Sequence, residues 1–403
     1  MCYAIPGKIT GLDGRVATVD YYGEKRNAYI DLVPDLTIGS YVYAQGGFVV
    51  SRISEAAAQD ILKDWRELFF KLQETDRRLS NDPKTLYERA NAIRQKHQGN
   101  SCCIHGILEF SNYCARNCHY CGIRRDNKKL TRYRLDTNEI LEAVDYASNK
   151  LGFKALVLQS GEDVWYTDDK LHEIVTEIRK RCPVLIFVSI GERDLSTFKR
   201  LYDAGARGVL LRFETSDEAL YSRLKPDSKL KTRLEMLKAL REMGYLIITG
   251  FLVGLPKQKG KDILESIKLT AELGAEMFSF GPFIPHPETP LSGAALPSLE
   301  QMLKTIARAR LTTPDARILV TTALETLDKE NGARQGLMAG ANSLMINVTP
   351  LKYRKLYDIY PNRAGVEDDT NSRIDSVLKL LYLLGRAPTD LGVALETASK
   401  TMS

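Results

Sequence analysis

The chain has 403 residues, is 44% hydrophobic and 27% charged, and carries a formal net charge of +6. That length and apolar content suit one large domain plus a small one. The charge is mild and interspersed, which argues against a nucleic-acid partner, and no run of about 18 apolar residues exists to span a membrane.

Met1-Cys2-Tyr3-Ala4-Ile5-Pro6-Gly7 lacks the apolar centre of a signal peptide. Seven cysteines in so long a chain point to a reducing compartment rather than a disulfide framework. The expected location is the cytoplasm.

Residues 1–53 read as all-β. Val16–Tyr21 and Glu24–Ile30 are β-rich runs that pair through the turn at Gly23. Tyr41–Ala44 is a further run, opened by Gly39-Ser40 and broken by Gly46-Gly47 before Phe48-Val49-Val50. Short strands separated by glycines suggest a small barrel. Ile61, Leu62, Trp65, Leu68, Phe69 and Leu72 then recur at helical spacing. Ser80-Asn81-Asp82-Pro83 is a turn, and a second helix is predicted from about Lys84 to His97. The expected division is a small β-barrel plus helix over 1–75, a helical linker over 76–100, and a second domain over 101–403.

From residue 101 strands and amphipathic helices alternate. The predicted strands are Ile104–Phe110, Ala155–Gln159, Val184–Ile190, Val209–Phe213, Ile247–Val253, Met277–Phe283, Arg317–Thr322 and Leu344–Val348. One intervening helix places Leu171, Ile174, Val175, Ile178 and Cys182 on a single face, which reads Cys182 as core. Eight such units argue for an α/β protein, a (β/α)8 TIM-type barrel preceded by the small all-β barrel with its C-terminal helix. In such barrels chemistry gathers at the C-terminal strand ends, and polar residues collect there after each predicted strand.

After the first strand comes Cys114-Ala115-Arg116-Asn117-Cys118-His119-Tyr120-Cys121. Three thiolates spaced C-x3-C-x2-C hold three corners of a [4Fe–4S] cluster and leave one iron open. A structural zinc site needs four ligands, and no second C-x2-C is present. The pattern resembles the signature of the radical S-adenosylmethionine (SAM) enzymes. They bind SAM at the open iron and split it to a 5′-deoxyadenosyl radical.

SAM presents an ammonium, a carboxylate, a ribose and an adenine. Gly161 allows close backbone approach, and Glu162 suits the ammonium. Arg212 or Arg233 suits the carboxylate, and Glu192 or Glu214 suits ribose hydroxyls or other polar contacts. His286, between two prolines, reads more readily as a rigid turn than as an acid or ligand. Thr321 and Thr322 read equally as hydroxyl donors or as buried strand residues. Met277 and Met345 read first as core.

Longer stretches are similar to the HydE family of [FeFe]-hydrogenase maturases, over about residues 85–388. They are Glu109–Asn112, Gly122–Asn127, Leu158–Asp163, Gly281–Leu291, and Thr349-Pro350 with Tyr353-Arg354, Leu356-Tyr357 and Tyr360-Pro361. The resemblance implies that Cys114, Cys118 and Cys121 hold the cluster. It implies that Tyr120, Gly161, Glu162, Ser189, Arg212, Glu214 and Arg233 surround SAM, and that Gln159, Met277, Thr321, Thr322, Met345 and Tyr357 line the substrate cavity. The implied substrate is an organometallic iron species with carbonyl, cyanide and cysteine ligands. Two departures stand out. Residues 360–380 lack the cysteines of a second cluster found in some members, so one cluster is expected. Phe187 and Phe213 stand where the family can have Thr and His.

The N-terminal part has its own resemblance. Met1-Cys2, Ala4-Ile5-Pro6-Gly7-Lys8, Asp31-Leu32-Val33-Pro34 and Gly47-Phe48 resemble the HypC family of [NiFe]-hydrogenase maturation chaperones, over about residues 1–75. That resemblance implies an iron fragment held with the help of Cys2, and contacts with partner proteins. Gln45 replaces the usual histidine. The combined expectation is a radical SAM enzyme in hydrogenase metal-centre assembly, with maturation proteins as partners and a ferredoxin or flavodoxin as reductant. Two rivals stay open: a PylB-like or biotin-synthase-like enzyme acting on an amino-acid-derived substrate, and a non-catalytic carrier of iron fragments.

Overall fold

The structure is a computed structural model that describes residues 5–390 and the backbone of 393–394. Cys2 lies outside the described residues. Five strands open the chain: β1 (Gly7–Asp13), β2 (Val16–Tyr21), β3 (Glu24–Tyr29), β4 (Tyr41–Gln45) and β5 (Phe48–Ile53). They are ordered β3-β2-β1-β4-β5, and Tyr29 pairs with Phe48 to close a small barrel. Alternation drives the closure. Ala17, Val19 and Tyr21 of β2 point inward to meet Ile9, Val42, Ala44 and Val49. Tyr22 and Gly23 both adopt positive φ, as a two-residue hairpin turn of matching twist requires.

Helix α1 (Glu55–Leu79) starts at Ser54, whose side chain accepts the Ala57 amide hydrogen. Its Phe69 and Leu72 complete the core of the small barrel. Helix α2 (Leu86–Gln98) opens with a capping box between Thr85 and Glu88 and packs against the helix Leu299–Thr312 of the second domain. Asp76 of α1 joins the two helices through Arg94 at 2.6 Å and also takes Arg386 at 3.2 Å. All three side chains are buried, and burial lowers the Arg386 guanidinium to about 10.

The second domain contributes β6 (Cys103–Ser111), β7 (Ala155–Ser160), β8 (Leu185–Ser189), β9 (Ala206–Leu210), β10 (Leu246–Thr249), β11 (Leu252–Val253), β12 (Met277–Phe278), β13 (Gly281–Pro282), β14 (Arg317–Val320) and β15 (Ser343–Asn347). Eight of them, β6-β7-β8-β9-β10-β12-β14-β15, form a closed parallel barrel. This is the expected (β/α)8 fold. The backbone of β16 (Val393–Ala394) returns to pair with β3.

Four of the expected strands differ in the structure. The fifth and sixth runs, Ile247–Val253 and Met277–Phe283, each break into two pieces. A Cβ at Gly250 would lie 2.2 Å from the Ser279 carbonyl oxygen, so the two backbones touch there and leave the ladder. Their outer halves, β11 and β13, form a separate parallel pair. The fourth strand ends at Leu210, not Phe213, because the Phe213 and Glu214 amides both turn to the Gly250 carbonyl. The seventh ends at Val320. Thr321 instead caps the helix Thr322–Leu327 by accepting the Leu324 amide hydrogen at 3.3 Å.

The small barrel closes the N-terminal end of the large one. Tyr43, Phe48 and Val50 share one apolar cluster with Cys103, Ala155, Leu185, Phe187 and Met277. A Cβ on Gly46 would sit 2.9 Å from Leu185, so the hairpin tip fits only without a side chain. Among the described residues, no helix is long and apolar enough to cross a membrane.

Candidate active site

The cysteine loop leaves β6 at the opposite, C-terminal end of the barrel. Asn112 anchors its start, donating to the Thr131 and Leu356 carbonyls and accepting the Tyr133 amide hydrogen. The Arg132 guanidinium donates to the carbonyls of Asn112, Ile123, Arg124 and Asn127 and so stitches the irregular loop together. Asn127 donates to the Gly122 carbonyl at 2.7 Å. His286 latches the loop from outside: its Nε2 bonds Asp358 at 2.9 Å and its Nδ1 accepts the Glu288 amide hydrogen. This is the turn role expected for it.

Cys114, Cys118 and Cys121 are free and half-buried. The Cys114 sulfur accepts the amide hydrogens of Arg116 and Glu162, each at 3.4 Å. Burial pushes the Cys121 thiol up, and the charges of Cys118 and Cys114 push it further. Neighbouring thiols oppose one another's ionisation, and bound positive charge reverses that opposition. With N–H groups aimed at sulfur, these residues fit an iron–sulfur cluster.

Glu162 and Glu192 form a closed array with two arginines. Arg116 spans both carboxylates, at 2.5 Å to Glu162 and 2.7 Å to Glu192. Arg233 lies 2.8 Å from Glu192 and 3.8 Å from Glu162. Burial raises the Glu192 carboxyl, but Arg233, the Ser228 hydroxyl and Arg116 outweigh it and hold the group below its usual range. Two glycines make the array possible. A Cβ at Gly161 would lie 2.1 Å from the Tyr113 carbonyl, and one at Gly191 would lie 1.9 Å from Glu162 Cγ. Two carboxylates and two guanidiniums suit a zwitterionic amino-acid end.

Arg212 pairs with Glu214 at 2.6 Å. Burial raises the Glu214 carboxyl, yet Arg212 and Lys225 overcome this and keep it low. Glu214 has φ of 65°, a strained value for a non-glycine residue, held by hydrogen bonds to Gly250 and Leu252. Tyr120 packs beside Phe283. Burial and the Glu214 charge drive its hydroxyl upward, so it stays protonated. Ser189 donates to Gln159 at 3.4 Å.

Below this rim the barrel holds a cavity of about 170 Å³, open to solvent on one side. Of the expected substrate residues, Gln159, Thr321, Thr322 and Met345 line it, with Arg212 from the SAM set. Met277 lies lower, in the apolar floor with Phe187, Ile248 and Leu319. Tyr357 is buried between the cluster loop and the cavity, and burial, Glu109 and Cys121 all raise its hydroxyl. Phe213 packs against Phe251 in the outer core, away from the lining.

Several lining residues escaped sequence reasoning. Glu109 binds Arg363 in a buried pair and accepts the Asn347 amide at 2.8 Å. Glu325 binds Arg373, and Tyr360 completes the wall. Arg116 was hidden inside the cysteine motif. The inward placement of Glu109 alone was signalled, since it lies near the end of β6, just ahead of the cysteine loop.

A model of the radical SAM superfamily matches residues 108–270, and the HupF/HypC family matches residues 1–65. The [FeFe] hydrogenase maturase subunit HydE of Thermotoga maritima is 41% identical over 305 residues, spanning 76% of this chain and 87% of that protein. The chain belongs to the HydE family of radical SAM proteins. Radical SAM proteins use a [4Fe–4S] cluster and SAM, which agrees with the thiol pocket and the ion array described above. The Biotin and Thiamin Synthesis associated domain matches residues 279–385. The 3-methylornithine synthase of Methanosarcina acetivorans is 31% identical, spanning 75% of this chain and 85% of that protein. The solved methylornithine synthase PylB superposes with a TM-score of 0.65 at 25% identity, covering 80% of this chain and 98% of that one. The maturase HydG of Carboxydothermus hydrogenoformans gives 0.63 at 21%, covering 80% and 79%, and shares the fold.

Proposed function

We propose that this radical SAM enzyme acts on an organometallic iron–cysteine precursor during assembly of a hydrogenase metal centre. The observation that supports it most is the thiol loop facing a closed-floored chamber whose wall carries Gln159, Thr321, Thr322 and Met345, in a chain 41% identical to HydE. Cys114, Cys118 and Cys121 hold the cluster. With SAM bound, that cluster supplies a 5′-deoxyadenosyl radical. Glu162 takes the ammonium of SAM, and Arg233 with Arg212 faces the carboxylate. Gly161 admits the ligand, while Tyr120, Ser189 and Glu214 border it. Tyr357 and the chamber residues position the substrate, with Met277 supporting them from the floor. The hairpin that seals the floor keeps water from the reacting atoms.

The small barrel, residues 1–75, is the docking module for maturation proteins, linked through 76–100 to the catalytic domain at 101–403. Cys2 holds an iron fragment there. The protein works in the cytoplasm, with a ferredoxin or flavodoxin as electron donor.

The similarity to 3-methylornithine synthase supports a second reading, rearrangement of an amino acid. One experiment separates them. Cluster-loaded protein with SAM and dithionite is given either a synthetic iron(II) dicarbonyl–cyanide–cysteine complex or lysine. The first reading expects 5′-deoxyadenosine with loss of the complex's carbonyl infrared bands, and no change in lysine. Rearranged lysine with an untouched complex overturns it.

A further inference from the structure

The helix Glu218–Leu224 stops because Pro226 cannot continue it, and Lys225 stands at its C-cap. From there residues 224–228 run along the cysteine loop. The Leu224 carbonyl accepts the His119 amide hydrogen at 2.9 Å, and the Asp227 carbonyl accepts from the Arg116 guanidinium at 2.5 Å. The Ser228 hydroxyl donates to Glu192 at 2.8 Å. Arg116 and His119 bracket Cys118 in the chain, so these contacts hold the segment beside that thiol. Lys225 is only 7% exposed, yet among the described residues no hydrogen bond or ion pair holds its ammonium. The other charges at the site are already matched: Arg116, Arg212 and Arg233 pair with Glu162, Glu192 and Glu214. Lys225 is the cation left over. A helix C-terminus favours a cation but does not require it to be buried.

A buried ammonium without a partner is costly unless negative charge lies against it. Cys118, Cys121 and Glu214 all feel this one. Burial and Arg233 lower its pKa, but Cys118 and Glu214 outweigh them, so it is charged at pH 7. Three thiolates on a [4Fe–4S] cluster leave the whole group negative, and one-electron reduction adds one more negative charge. We propose that Lys225 is the counter-charge of that cluster and raises its reduction potential. A fixed cation in a buried site stabilises the reduced form more than the oxidised one, because the reduced form carries more negative charge. The electron comes from the external reductant, and no proton moves. Lys225 thereby acts through the cluster, easing uptake of the electron that SAM cleavage consumes. The inference rests on the cluster assignment and is independent of which substrate the chamber takes.

The test is a redox titration of cluster-loaded, full-length protein without SAM, with dithionite and mediators, read by the electron paramagnetic resonance of the reduced cluster. The neutral variants Lys225→Met and Lys225→Gln should shift the reduction equilibrium at least about tenfold toward the oxidised cluster, a fall of about 59 mV for one electron. Lys225→Arg should stay near wild type. So should Lys231→Met, whose side chain is 82% exposed and screened by solvent. An unchanged midpoint in the neutral variants, or an equal fall in Lys225→Arg or Lys231→Met, overturns the inference. So does an unchanged midpoint with weaker SAM binding, which would assign the ammonium to the SAM carboxylate. If neither neutral variant takes up iron while Lys225→Arg does, the same charge pairing is supported; loss of the cluster in all three overturns it. SAM cleavage is not the readout. A wild type that forms no cluster sinks the cluster assignment itself, whereas an unshifted midpoint sinks only the role of Lys225.

Discussion

Asp390, near the C-terminus, accepts the amide hydrogen of Gly46 at 2.7 Å. Its other oxygen takes Arg317 of β14 at 2.6 Å. One buried carboxylate thus joins the tail, the hairpin of the small barrel and the floor of the large one. Removing it leaves the Gly46 amide unpaired and Arg317 with Glu276 as its remaining carboxylate partner, a loss below the ~3–5 kcal/mol of a fully broken buried pair. Asp390→Ala should therefore raise hydrogen exchange over residues 41–50 and leave the cysteine loop protected. Unchanged protection of the hairpin would contradict the clamp.

Glu109 and Arg363 form the second buried pair that matters, inside the chamber. Glu109→Gln alone and Arg363→Met alone should each cost about 3 kcal/mol or more in denaturant unfolding. The double variant should cost clearly less than the sum, since neither charge is then left unpaired. Strict additivity would show that the two side chains act independently.

Gly191 sits at φ of 73° with no room for a Cβ beside Glu162. Gly191→Ala should displace that carboxylate while the barrel stays folded. SAM affinity, measured by calorimetry on cluster-loaded protein, should drop at least about 10-fold, whereas methylthioadenosine, which lacks the amino-acid end, should bind nearly as before. Equal losses for both ligands would remove Glu162 from the recognition of that end.

Asp163 offers a pH test. Burial raises its carboxyl, but Arg134, the Ser111 hydroxyl and the Trp165 amide outweigh burial and hold it below its ordinary value. A depressed carboxyl contributes stability above its unfolded pKa of about 3.9 and loses it as pH falls through the lower folded value. Asp163→Asn should be less stable than wild type at pH 7, and the two melting curves should converge below about pH 4. A gap that stays constant across that range would mean the ion pair is idle.

The barrel was legible because its signals are local. Alternating apolar strands, helical periodicity and the tight C-x3-C-x2-C run all sit within short windows. The breaks at Gly250 and Ser279 were not legible, because they arise from two backbones touching across 29 residues of sequence. The ion array shows the same limit. Glu162 and Glu192 were picked out singly after predicted strands and Arg233 for its charge, but only the fold brings them together with Arg116. Arg363 reaches Glu109 across 254 positions, and no periodicity records such a pair. The sealed floor was invisible for a further reason: Gln45-Gly46-Gly47-Phe48 reads as an ordinary turn until the large barrel is placed beneath it.

The central claim is that Cys114, Cys118 and Cys121 hold a cluster that drives reductive SAM cleavage. The most direct measurement is anaerobic iron reconstitution followed by incubation with SAM and dithionite. The account predicts about four irons per chain and formation of 5′-deoxyadenosine in the wild type, and neither in Cys118→Ala. A Cys118→Ala protein that still forms 5′-deoxyadenosine would contradict it.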